Sequence, residues 1–285
     1  MRVSIIIPTF NNLEYLKLII KSIKNNSTYS HEIIVHINQG IDGSLDYVKK
    51  NHIKHTYSKE NIGLCSAVNT AALLSTTDYI MYSHDDMFFC KEWDLILKKK
   101  IEDQKDNLFY LSGKTISNKD VSDDLKCGLN SVEFDENLFQ KFCNTNILPD
   151  LQGSHWAPHL IHRDVWNSVG GFSEEFNPGD GSDPDLCLKL WNIGVRVFIC
   201  IGNFKVYHFE SITIRKSNIV KNNGTKKFLL KWGFNPRFFR KYYLRGESSQ
   251  IYNGPLNNPA ITLMMLIDLF INKLKFYYYK IFNAN

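Results

Sequence analysis

The first hundred residues alternate between two hydrophobic periods, and this alternation restricts the chain more than any other feature. Val3–Ile7 is an unbroken apolar run, the pattern of a strand buried on both faces. Leu13, Leu16, Ile19, Ile20 and Ile23 then recur at helical spacing. The pair of patterns repeats. Strands are predicted over Glu32–Ile37, Ile53–Tyr57 and Tyr79–Ser83, and helices over Leu45–Asn51, Ser66–Leu74 and Trp93–Ile101. A β-α-β-α-β-α-β order predicts a right-handed, mostly parallel α/β sheet flanked by helices. Ligands of such sheets bind beyond the carboxyl ends of the strands. Pro8–Asn12, Asn38–Ser44, Lys59–Gly63 and His84–Asp86 all lie there.

The stretch Ser117–Pro149 is polar and reads as an irregular insertion over the sheet edge. Order returns with a strand over His155–His162, a short helix over Asp164–Ser168, a turn at Gly170-Gly171, a helix over Asp183–Asn192 and a strand over Val195–Ile201. Residues 215–250 are basic and aromatic, broken at Asn235-Pro236, and Pro255 and Pro259 read as a hinge before a last apolar helix. This divides the chain into residues 1–215 and a helical extension, 216–285. With 44% apolar and 22% charged residues, a disordered chain, a fibre and a polytopic membrane protein are excluded. Six cysteines without a C-x-x-C pair argue against a disulfide or zinc framework, and no signal peptide is read at Met1-Arg2, so a cytoplasmic location is expected. The net charge of +5 is unevenly spread: from Lys205 onward there are 14 Lys/Arg against 3 Asp/Glu, and before it 20 against 26. A basic tail on an acidic body calls for an anionic neighbour or for water.

Four local patterns carry chemistry. His84-Asp85-Asp86 follows an apolar strand, and adjacent acids repel unless a cation joins them to a further anion such as a diphosphate; the structural alternative is a solvated turn. In Gly181-Ser182-Asp183-Pro184-Asp185, Asp183 is either a helix N-cap ahead of Pro184 or a carboxylate poised to accept a proton. His208, after the last predicted strand, is a ligand or a structural histidine. Asn61 and Gly63 sit in a β-to-α loop where glycine lets backbone approach a ligand.

Taken in order, Pro8-Thr9-Phe10-Asn11-Asn12, Asn61-x-Gly63-x-x-x-Ala67-x-Asn69, the strand ending in Asp85-Asp86, Val169-Gly170-Gly171-Phe172, Asp183-x-Asp185 ahead of Leu186, and Tyr207-His208 resemble the nucleotide-sugar-dependent glycosyltransferases of the GT-A fold, of the inverting family two type, over about residues 1–215. The resemblance implies a UDP-sugar donor, a Mn²⁺ or Mg²⁺ ion and a glycan or lipid-linked glycan acceptor, as in polysaccharide biosynthesis. It places Pro8, Thr9, Asn11, Asn38, Asn61, Gly63 and Asp85 on the donor side. Asn38 stands where the family has a base-contacting Asp, with Asp42-Gly43-Ser44 displaced beyond it. Asp86 and His208 take the metal places, with His84 replacing the first acid of the D-x-D motif. Asp183 takes the catalytic-base place, with Ser182 replacing a Glu. Trp156, Gly171, Phe172 and Asp185 fall on the acceptor side.

A nucleotidyltransferase would need a Gly-rich basic loop after the first strand, and Pro8–Asn12 is not one. A retaining transferase and a non-catalytic sugar-binding descendant remain as alternatives, and homo-oligomerisation is open. Nucleic-acid binding is the weakest reading of the tail, which carries no recognised module. The final apolar stretch from Ala260 to Phe282 is interrupted by Asp268 and Lys273, so it is expected to lie on an anionic membrane surface rather than cross it, or to pack on protein.

Overall fold

The structure is a computed structural model and describes residues 1–118, 126–153, 156–209, 222–246 and 250–282. Strands β1 (Ser4–Phe10), β2 (Glu32–Asn38), β3 (Lys54–Ser58) and β4 (Tyr79–Tyr82) are parallel and alternate with helices α1 (Leu13–Asn26), α2 (Ser44–Lys50) and α3 (Leu64–Ala72). There follow β5 (Met87–Phe89), α4 (Trp93–Glu102), β6 (Phe109–Ile116), α5 (Glu136–Thr145), β7 (Leu151–Gln152), β8 (His159–His162), α6 (Arg163–Ser168), α7 (Ser182–Asn192) and β9 (Val197–His208). The tail holds α8 (Gly224–Trp232), α9 (Pro236–Phe239) running into a π turn, and α10 (Leu263–Phe282).

The nine strands form one mixed sheet in the order β3-β2-β1-β4-β8-β6-β9-β5, with β7 beside β9. β1 is central because Ile5, Ile6 and Ile7 are fully buried whichever face they point to, as the apolar run predicts. α1 turns Leu16, Ile19, Ile20 and Ile23 inward. The chain moves from β1 through β2 to β3 on one side and then jumps to β4 on the other. That reversal leaves a crevice at the carboxyl ends of β1 and β4, the place where open α/β sheets bind ligands. β8 is antiparallel to both of its neighbours, β4 and β6.

The last strand is longer than expected. Its register against β6 jumps from Gly113↔Ile201 to Lys114↔Lys205, a bulge of residues 202–204, and the strand continues to His208. There His208 pairs with Met87 across β5, and the Phe209 amide donates to the Asp86 carbonyl at 3.1 Å. The backbone ladder thus brings the two ends of the sequence motif together.

The middle stretch is less irregular than its polarity suggests. It contains α5, whose Phe139, Phe142 and Cys143 are buried and whose cap, Asp135, accepts from the Leu138 amide at 2.9 Å. The strand expected over His155–His162 is ordered as β8 from His159; residues 154 and 155 lie outside the described residues. The segment before α10 is held to the body rather than hinged: Tyr252 N donates to Asp150 O and Leu256 N to Arg196 O, both at 2.8 Å. All six cysteines are buried and none is joined in a disulfide.

Candidate active site

A cleft of about 420 Å³ opens at the crevice between β1 and β4. β1 contributes Pro8, Thr9 and Phe10, and β2 contributes Asn38. Asn61 and Leu64 flank the start of α3. Tyr82, His84, Asp85 and Asp86 come from the end of β4, and Pro178, Gly179, Asp180, Ser182 and Asp183 from the approach to α7. His208 and Asn222 complete it.

His84, Asp86 and His208 form one cluster, each offering a ligand atom within 4.8 Å of the others. His208 Nε2 lies 3.2 Å and His84 Nδ1 3.9 Å from Asp86 Oδ1, and the two imidazoles meet edge to face at 5.2 Å. Burial, and then the neighbouring His208, pull the His84 imidazole down to about 4. At neutral pH it therefore keeps a lone pair to donate. Sequence reading treats His84 as the substitution of an acid; the structure places it beside the other two candidate ligands.

Asp85 turns the other way. Its Oδ2 accepts a 2.6 Å hydrogen bond from Thr9 Oγ1, tying the ends of β4 and β1 together. Burial, and then the Asp86 charge, push its carboxyl up to about 7.

Asp183 is not the helix cap. The cap position belongs to Gly181, in the left-handed region at φ +89, and no side chain bonds to the free amides there. Glycine is needed at this turn for its φ and for close packing, since a Cβ would stand 3.0 Å from the Gly224 carbonyl. With the capping role taken by backbone, the Asp183 carboxylate stays uncommitted. Its Oδ1 is inaccessible to water and has no hydrogen-bond partner among the described residues. Burial pushes its carboxyl up to about 7. A buried, unsatisfied carboxylate is costly, and such groups concentrate where chemistry needs them.

Of the donor-side residues, Pro8, Thr9, Asn38, Asn61 and Asp85 line the cleft. Asn11 and Gly63 do not. Asn11 braces two loops, donating to Gln39 Oε1 at 2.8 Å and accepting from the Ile41 amide at 3.0 Å. Gly63, at φ +83, makes room for Asn177, whose Oδ1 would lie 2.4 Å from a Cβ there and which caps α3 through the Cys65 amide at 2.9 Å.

The four acceptor-side residues also stand outside the lining. Phe172 packs edge-on behind Tyr82 at 5.3 Å, so it buttresses a wall rather than facing the cleft. Gly171 lies under Asn69, whose side-chain amide makes paired bonds to the Phe172 backbone at 2.8 and 2.9 Å. Trp156 carries a guanidinium, that of Arg240, 5.6 Å above its ring. Asp185 is fully buried and saturated: Ser173 Oγ donates to it at 2.6 Å, Trp232 Nε1 at 2.8 Å and Lys231 Nζ at 2.8 Å. Asp185→Ala is accordingly expected to cost about 2–3 kcal/mol in urea unfolding, because it strands three donors. Unchanged stability with lost turnover would give Asp185 a chemical role instead. Sequence reasoning misses Tyr82 and Asn222 as lining residues; Asp180, a later candidate for the base after Asp183 and Asp185, also lines the cleft. Asn222 leaves no signal in sequence, since it arrives from the tail and donates to Phe176 O at 2.8 Å and Asp180 O at 3.2 Å.

The sheet is thus a mixed α/β sheet with acids and histidines gathered at its switch point, where such folds bind their ligands. The sequence profile of glycosyl transferase family 2 matches residues 4–168, and the chain belongs to that family. An uncharacterized glycosyltransferase of Rickettsia conorii is 28% identical over 236 residues, which is 79% of this chain and 35% of the relative. Hyaluronan synthase of Pasteurella multocida is 25% identical over 229 residues, 78% of this chain and 22% of that protein. The chain thus spans about a third or less of these relatives' length. Among solved structures, S. aureus TarS 1–349 superposes with a TM-score of 0.56 at 13% identity, covering 98% of this chain and 80% of that one. GalNAc-T7 with UDP, GalNAc and Mn²⁺ gives 0.58 at 13% identity, over 80% and 47%. At these identities the likeness is one of fold.

Proposed function

We propose that the protein transfers a sugar from a UDP-sugar to a hydroxyl of a glycan or lipid-linked glycan, with inversion at the anomeric carbon and with a divalent cation. The observation that carries this reading is the pairing, in one cleft, of the His84–Asp86–His208 cluster with the uncommitted Asp183 carboxylate. TarS has been solved in complex with UDP-GlcNAc, and relatives include hyaluronan and chondroitin synthases.

Two imidazoles and one carboxylate suit Mn²⁺ better than Mg²⁺, which prefers an all-oxygen shell. Bound there, the ion would offset the charge that builds on the leaving diphosphate. The remaining work falls to the chain. Asp85, oriented by Thr9, offers its second oxygen to a ribose or sugar hydroxyl. Asn38 and Asn61 line the donor end; the Asn38 carbonyl oxygen already accepts from Ser58 Oγ and the Ile62 amide, both at 3.0 Å, which fixes its orientation. Asp183 takes the proton from the acceptor hydroxyl as that oxygen attacks. Holding donor and acceptor in line supplies most of the acceleration, and no covalent intermediate is needed.

A donor screen tests the reading. With Mn²⁺, the chain should release UDP from at least one of UDP-glucose, UDP-galactose, UDP-GlcNAc and UDP-GalNAc, and not the nucleotide of GDP- or CDP-sugars. Binding of UDP without any release would identify a non-catalytic sugar-binding descendant. Proton NMR of the product reports the anomeric configuration, and retention would overturn the role given to Asp183.

A further inference from the structure

α10 is amphipathic in the inverse sense. Two of its polar side chains face the protein: Asp268 accepts from Lys241 Nζ at 2.7 Å and from the Tyr242 hydroxyl at 2.6 Å, and Asn272 accepts from the Asn235 amide at 2.9 Å. Only Met265 and Asn272 of its 20 residues are buried. Its apolar side faces outward. Leu263, Leu266, Phe270, Leu274, Tyr277 and Ile281 form one stripe, each at least half exposed. Ile267, Ile271 and Tyr278 widen it to roughly 140° of the circumference at 100° per residue. A helix docked in this way leaves its apolar surface in water unless something covers it.

We infer that what covers it is the interfacial region of an anionic lipid bilayer, with α10 lying in the plane of the membrane. Three observations choose this occupant over a second copy of the chain. The stripe is wider than the narrow seam of a two-stranded coil. Its edges are basic: Lys273 and Lys280 run along one side and Lys275 along the other, where long stems lie on the apolar surface and ammonium groups reach headgroup phosphates. The one acid of the helix, Asp268, is already held by Lys241, so two copies of α10 would bring lysines together with no free acid to offset them. Tyr277 and Tyr278 are side chains that favour the headgroup level. Beside the helix, a groove of about 570 Å³ between α8 and α10 is lined by Lys226, Lys275, Asn223, Asn235 and the Tyr278 and Tyr279 rings, a further cationic recess for a headgroup. No helix among the described residues is long and apolar enough to cross a membrane.

The test uses the whole chain and vesicles of phosphatidylcholine, with or without phosphatidylglycerol. The chain should sediment with the anionic vesicles, at least about tenfold more strongly than with neutral ones, and come off at high salt. Leu266→Glu/Phe270→Glu/Leu274→Glu should lose the binding and keep the circular dichroism, because these side chains point away from the protein. Lys273→Glu/Lys275→Glu/Lys280→Glu should lose the preference for the anionic lipid. Absence of vesicle binding, or equal binding to both compositions, overturns the inference. So does a dimer in light scattering that the first variant splits while neither form binds vesicles; that result assigns the face to a second copy. None of these readouts depends on sugar transfer, so failure here leaves the proposed chemistry untouched.

Discussion

Asp183→Asn is expected to lower the rate of sugar transfer by about 10²–10⁴-fold, the usual loss when a positioned base is removed, with little change in the affinity for UDP. The substitution keeps size and shape, and the helix start survives because backbone at Gly181, not this side chain, makes the turn. The wild-type rate should rise with pH through about 7, where the carboxyl gives up its proton, and the residual rate of the variant should not follow that profile. Stability should move in the opposite direction. The folded protein holds this proton up to about 7, the unfolded chain only to 3.8. Between those values the folded state binds more protons, so stability falls as pH rises across the window. The variant escapes this cost. It should melt above the wild type at pH values beyond 7 and level with it below 3.8. A variant that transfers sugar at the parental rate would remove Asp183 from the mechanism.

Chelation is the second large effect. EDTA should abolish transfer, and Mn²⁺ should restore it better than Mg²⁺. Asp86→Ala removes the one carboxylate of the cluster and should cost on the order of 10³-fold, since an ion at a developing diphosphate contributes several kcal/mol. His208→Ala should be milder and rescued by excess Mn²⁺. His84→Ala separates two views of the motif: as a ligand, its loss should raise the Mn²⁺ concentration needed for half-maximal activity and alter the paramagnetic resonance of bound Mn²⁺; as a mere replacement for an acid, it should leave both alone. Full activity in EDTA would dismiss the cation altogether.

The half of the fold that holds the donor side was legible because buried parallel strands write themselves as apolar runs: β1 to β4 emerge from the sequence with bounds within three residues of those observed. The ordered motifs also located the cleft, since Thr9, Asn38, Asp85, Asp86, Asp183 and His208 all line it. What failed had physical causes. α5 was hidden because only three of its positions are apolar and buried amid a polar stretch. The Asp183-Pro184 pair imitates a capped helix start, but a left-handed glycine two residues earlier took that role. The proposed acceptor wall was displaced because Gly171 and Phe172 serve packing behind Tyr82. Asp185 resembled a spare base, yet its partners Lys231 and Trp232 lie about fifty residues further along, beyond the reach of local pattern reading.

That last contact ties α7, which carries Asp183, to the tail. Asp183 and Asp185 share the first turn of α7, and the second of them is clamped by the end of α8. A chain ended near residue 215 would leave a buried anion without two of its three donors and loosen the turn that aims the first. Removing the tail is therefore expected to disturb the turn that carries Asp183, and a loss of activity on truncation would say little about lipid. The same clamp joins α7 to the helix against which α10 packs, so an acceptor confined to a surface under α10 is expected to approach Asp183 from one direction only.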